Sequence, residues 1–142
     1  MQKKSQNTED QPKKTILIVD DTKPIRILLL KKLERKYNCV LFSDPLKAVE
    51  YVKECYQDIS LIISDYQMPK LNGFEFLKKI QDKSEKIPVI LLSSHLTEFR
   101  VKELFNLGVK IFMAKPVKMN RLLQDIKRLL EDDEKKDEKP GI

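Results

Sequence analysis

The chain has little of what marks nucleotide-binding, disulfide-bonded or membrane proteins. It holds only three glycines in 142 residues, and none lies in the segment directly after the first strand-like run, so the glycine-rich loop of a nucleotide site is absent. Its two cysteines, Cys39 and Cys55, make no motif and read as reduced, small hydrophobic residues of a cytosolic chain. His95 is the one histidine, and nothing around it has the Ser–His–acid order of a hydrolase. No apolar run approaches the roughly 20 residues that a membrane-spanning helix needs. Residues 1–14 are polar and lack the apolar centre of a signal peptide. A cytoplasmic chain without membrane association is expected.

Charge is abundant but uneven. The net charge is +6, with +7 on residues 15–130, +2 on residues 1–14 and −3 on residues 131–142. A basic body can attract nucleic acid. No helix, however, clusters arginine with aromatics, and no nucleic-acid-binding module is visible. A lysine-rich solvated surface is the simpler reading, and no nucleic-acid partner is expected.

What the sequence does contain is an alternation of strand-like and helix-like segments, the pattern of a parallel sheet flanked by helices. The expected strands are Thr15–Asp20, Cys39–Phe42, Ile59–Ser64, Val89–Leu92 and Lys110–Met113. Short apolar runs rich in β-branched residues suit strands covered on both faces. The first helix starts near Pro24, a residue suited to a first turn, with Ile25, Leu28, Leu29 and Leu33 as its apolar face. Asp44-Pro45 is a cap and first-turn signal for a second helix running to about Tyr56. Further helices are expected over Phe74–Gln81, Glu98–Leu107 with Gly108 as its stop, and Lys118–Glu131. The last carries a stripe of Leu122, Leu123, Ile126, Leu129 and Leu130, most simply core. The chain thus divides into a polar arm (1–14), one α/β domain (15–131) and a charged tail (132–142).

In open α/β sheets, chemistry gathers at the carboxyl ends of the strands. Those ends carry Asp20 and Asp21, then Asp65, then Ser93 and Ser94, then Lys115-Pro116. If the first and third strands are neighbours, three carboxylates converge, and a hard cation such as Mg²⁺ would relieve their repulsion. Asp20-Asp21 taken alone could equally be a solvated turn or a helix cap.

The motifs together are more specific. Ile18-Val19-Asp20-Asp21, the run Asp65-Tyr66-Gln67-Met68-Pro69-Lys70-Leu71-Asn72-Gly73, the run Pro88 to Ser94, and Ala114-Lys115-Pro116 follow in order. Over residues 15–131 the chain resembles the receiver domain of two-component response regulators. The resemblance implies a flavodoxin-like (βα)5 three-layer sandwich with strand order 2-1-3-4-5. It implies a single-domain, chemotaxis-regulator-like protein in which Asp65 takes a phosphoryl group from a phosphohistidine on a sensor histidine kinase or histidine phosphotransfer protein. Asp21, Asp65 and the Gln67 carbonyl would bind Mg²⁺ directly, and Asp20 mainly through a water. Lys115, before a cis proline bond, would pair with a phosphoryl oxygen.

The resemblance also makes Ser93 and Phe112 a switch. Ser93 would bond the phosphoryl group, and the Phe112 ring would change rotamer, altering the face of helix four, strand five and helix five that a downstream protein reads. Gln67 and His95 would tune how long the phosphoryl group survives. His95 could otherwise be plain loop surface, Phe112 plain core, and Ser94 a small packing residue. Met68, Pro69 and Gly73 would shape the loop. Such a domain catalyses only its own phosphorylation and dephosphorylation, is not otherwise an enzyme, and is expected to be a monomer. The alternative is a receiver-like module that binds protein without phosphorylation. A metal phosphatase with an aspartate nucleophile would need Asp-x-Asp after the first strand, which Asp20-Asp21-Thr22 does not supply.

Overall fold

The computed structural model describes residues 12–94 and 101–132. His95, residues 98–100 of the expected fourth helix, most of the N-terminal arm and residues 133–142 lie outside them.

Five strands form one parallel sheet: β1 (Thr15–Val19), β2 (Asn38–Phe42), β3 (Ile59–Asp65), β4 (Val89–Ser93) and β5 (Val109–Ala114). Their order is β2-β1-β3-β4-β5, the expected flavodoxin-like arrangement. The helices are α1 (Lys23–Leu33), α2 (Pro45–Cys55), α3 (Gly73–Ile80), α4 (Val101–Asn106) and α5 (Met119–Lys127). A 3₁₀ turn, Tyr56–Asp58, follows α2, and a π turn, Arg128–Asp132, continues α5.

The sheet divides two cores. Leu17, Val19, Ile62, Val89 and Leu91 pack on one face with Val52 of α2 and Phe76 and Leu77 of α3. Ile16, Ile18, Leu61, Ile63, Ile90 and Leu92 pack on the other, with Leu29 and Leu33 of α1 and Leu122 and Ile126 of α5. Each such buried aliphatic side chain stabilises by about 1.5–3 kcal/mol over an exposed one. Cover on both faces explains why β1, β3 and β4 are nearly continuous apolar runs.

Two expectations need correction. Leu28 is not on the buried face of α1 but 43% exposed, like Ile27 at 41%. Ile25, Leu29 and Leu33 repeat at four-residue intervals and share one face, whereas Leu28 lies about 100° round the helix from Leu29. Ser94 is exposed rather than packed, and its backbone N–H donates to the Gln67 Oε1 at 3.3 Å.

The elements are punctuated as their residues require. Asp44 caps α2 by accepting from the Leu46 N–H at 2.9 Å. Asn72 and Glu75 make a reciprocal capping box that starts α3. Gly108 ends α4 at φ +102°, a conformation that suits glycine. Gly73 is required by space: an added Cβ would lie 3.0 Å from both the Leu91 Cδ1 and the Tyr66 Cα. Among the described residues, no helix is long and apolar enough to cross a membrane.

Candidate phosphoacceptor site

The register of the sheet assembles the site. Val19 pairs with Ser64, so Asp20, the next residue, stands beside Asp65. Asp65 pairs with Leu92, which puts Ser93 one step beyond it, and Ser93 pairs with Ala114, which precedes Lys115. Parallel strands with all crossovers on the faces bring these residues to one edge of the sheet. The extra pairing at Asp65 and Ser93 is why β3 and β4 each run one residue past the expected end.

Asp20, Asp65 and Ser93 are almost fully buried, at 1%, 3% and 3% exposure, while Asp21 is open to solvent. One oxygen from each of Asp20, Asp21 and Asp65 can lie within 4.8 Å of the others. Lys115 reaches between two of them. Its Nζ is 3.0 Å from the Asp65 Oδ2 and 3.4 Å from the Asp20 Oδ2. The Lys115–Pro116 bond is cis, and the Lys115 N–H donates to the Ser93 carbonyl at 2.9 Å.

This crowding sets the ionisation. Burial is the largest influence on Asp65 and raises its carboxyl above the ordinary range; the Lys115 hydrogen bond pulls it back, and the Asp20 charge pushes it up again. Burial alone would lower the Lys115 pKa, but the hydrogen bond to Asp65 and the charges of both carboxylates outweigh it, so the ammonium is held.

The residues present fit a magnesium ion. The donors of Asp20, Asp21 and Asp65 are all carboxylate oxygens within 4.8 Å of one another, the ligand type a hard divalent cation takes. Asp65 keeps its Oδ1 on the side away from Lys115, where the Gln67 N–H approaches at 3.4 Å.

Several residues that support the site were not singled out from the sequence. Thr22 donates to the Asp20 Oδ1 through its backbone N–H at 2.8 Å and also through its hydroxyl. Arg26, on α1, donates to the Asp20 carbonyl at 2.7 Å. Lys70, in the loop after β3, pairs with Asp44 at 2.9 Å. A Thr two residues after an acid is a common local turn, and only that pattern could have pointed to Thr22.

Phe112 lies on β5 opposite Leu91 and is half-buried. Its ring meets Phe105 of α4 edge to face, with centroids 5.5 Å apart at 86°. Phe105 is 53% exposed, so the pair reaches the surface.

The family model described as the response regulator receiver domain matches residues 16–127. The chain belongs to that family, whose members are signalling domains. The two-component response regulator ORR3 of Oryza sativa subsp. indica is 31% identical over 128 residues, covering 88% of this chain and 94% of that protein. Histidine kinase P4 of Formosa agariphila is 33% identical over 125 residues, 87% of this chain but 9% of the kinase. A chain in the crystal structure of the CheX-CheY-BeF3-Mg+2 complex from Borrelia burgdorferi is 28% identical with a TM-score of 0.70, covering 81% of this chain and 87% of that one.

Proposed function

We propose that this chain is a phosphoacceptor that takes a phosphoryl group onto Asp65 from a phosphohistidine of a sensor histidine kinase or histidine phosphotransfer protein, and signals through a partner protein. The observation that carries the reading is the buried Asp65 carboxylate at the carboxyl end of β3, held 3.0 Å from the Lys115 ammonium. An Asp65 oxygen attacks phosphorus as the phosphorus–nitrogen bond to the donor imidazole breaks. A carboxylate arrives ionised at neutral pH, so no general base is needed. Lys115, beside two buried carboxylates, offsets charge on the incoming phosphoryl oxygens.

Asp21, Asp65 and the Gln67 carbonyl would hold Mg²⁺, with Asp20 acting mainly through a water. Bound there, the ion supplies charge compensation for the carboxylate and the phosphoryl oxygens. Ser93, one residue beyond the Asp65 pairing on β4, would then bond the phosphoryl group. Its shift draws on the β4 end and frees space for the Phe112 ring to turn inward from Phe105. The face made by α4, β5 and α5 changes shape, and a downstream protein reads it. A cytoplasmic monomer without nucleic-acid partners accords with this role.

The test is intact-mass measurement after incubation with acetyl phosphate, with and without Mg²⁺. One phosphoryl group, dependent on Mg²⁺ and labile to hydroxylamine, is expected on the wild type and none on Asp65→Ala. A wild type that stays unlabelled would favour a receiver-like module that acts without phosphate.

A further inference from the structure

We propose that Asp44 and Lys70 form a positioning pair that holds the loop between Asp65 and α3 from outside. Lys70 is the one non-glycine residue with positive φ among the described residues, at 76°. That region is disfavoured for any residue with a Cβ, and Gly or Asn would occupy it more cheaply. A lysine there makes sense if its side chain has a task, and its Nζ lies 2.9 Å from the Asp44 Oδ2 across 26 positions of sequence.

Asp44 is well placed as the anchor. Its Oδ1 accepts the Leu46 N–H at 2.9 Å, which fixes the carboxylate at the start of α2 and leaves Oδ2 for Lys70. Lys70 in turn holds the Asp44 carboxyl below the usual range, first through the hydrogen bond. The pair therefore ties the β2–α2 turn to the β3–α3 loop beside the carboxylate site.

The loop is otherwise held from within. Gly73 donates to the Tyr66 carbonyl at 2.7 Å, Leu71 donates to the Pro69 carbonyl at 2.8 Å, and the Leu71 side chain is buried. Gln67 is anchored near the site by its N–H toward the Asp65 Oδ1 and by its Oε1 accepting from Ser94. Lys70 is the outer corner of this loop, three residues after Gln67. Fixing the corner limits how the Gln67 carbonyl can tilt. The consequence for metal binding rests on the phosphoacceptor reading, in which that carbonyl is a Mg²⁺ ligand.

The experiment compares Asp44→Asn, which keeps a capping oxygen but loses the charge, with Lys70→Gln, which keeps the stem but loses the ammonium. Lys70→Arg and the Asn/Gln double variant complete the set. Two readouts are taken on the full chain: amide hydrogen exchange over residues 66–72 without metal, and Mg²⁺ affinity by calorimetry. An exposed ion pair is weak, so each single neutral variant should speed exchange and weaken Mg²⁺ binding by about two- to fivefold. The double should be no worse than either single, Lys70→Arg should match wild type, and the differences should fade at high salt as screening tightens. Unchanged exchange in either single variant overturns the proposal. So does a double variant showing the product of the two single effects, or faster exchange with unaltered Mg²⁺ affinity. A wild type that binds no Mg²⁺ contradicts the phosphoacceptor reading instead, and the exchange rates alone then decide whether the pair holds the loop.

Discussion

Replacing Gly73 by alanine tests whether packing at the start of α3 sets the backbone behind Asp65. The new methyl would sit 3.0 Å from the Leu91 Cδ1, 3.0 Å from the Tyr66 Cα and 3.1 Å from the Tyr66 Cδ1. Carbon atoms prefer about 3.5–4.0 Å, so each contact is short by about half an ångström or more. Leu91 is 1% exposed and has little room to turn, and the Tyr66 Cα is backbone. Overpacking of this kind costs about 1–3 kcal/mol. Alanine recovers about 0.4–1 kcal/mol by restricting the unfolded chain. Gly73 opens the helix, so the gain in helix propensity is small. The net expectation is a loss of about 1–2 kcal/mol. With a urea slope of about 1–3 kcal/mol per molar, the midpoint should fall by roughly 0.3–2 M with the slope unchanged. Because Tyr66 directly follows Asp65 and Gly73 donates to its carbonyl, labelling by acetyl phosphate should slow as well. A urea midpoint equal to or above wild type would refute the steric argument.

Asp21→Asn should weaken Mg²⁺ binding at least tenfold, about 1.4 kcal/mol, with Asp20→Asn smaller in effect; calorimetry that finds wild-type affinity for Asp21→Asn contradicts the metal arrangement. Ser93→Ala should confine the amide shifts caused by beryllofluoride to the Asp65 pocket, whereas in wild type they should spread to Phe112, α4 and α5. Asp65→Asn should stabilise the metal-free fold at neutral pH. Burial raises the Asp65 pKa in the folded state, so its stabilising contribution is full below the unfolded value and is lost as pH rises through the folded value. The advantage of the variant should therefore shrink as pH is lowered toward the carboxylate range. Denaturant melts at several pH values check this, and a variant less stable at neutral pH would oppose it.

The centre of the sheet was legible because both its faces are covered. Ile16–Val19, Leu61–Ile63 and Val89–Leu92 are apolar at every position, and few other structures need that. The strand ends were less so: Asp65 and Ser93 are polar yet still pair with neighbouring strands. The apolar run Ile27 to Leu30 filled α1 beyond one face, and periodicity alone could not say that Leu28 stays exposed. At the site, the residue types and their order suggested Asp20, Asp21, Asp65, Ser93 and Lys115, and the register brings them to one edge of the sheet. The groups that hold them were hidden. Arg26 acts on a backbone carbonyl, and Lys70 meets Asp44 only because α2 and α3 lie side by side, so neither leaves a periodic trace in the sequence.

The central claim is that Asp65 carries the phosphoryl group. Borohydride reduces an aspartyl phosphate to homoserine, which marks the modified position permanently. The protein labelled with acetyl phosphate and Mg²⁺ is reduced, digested and mapped by mass spectrometry. Homoserine at position 65, absent when Mg²⁺ is withheld, is the predicted result. Conversion at Asp20 or Asp21, phosphate retained on Ser93, or no conversion at all would contradict the account.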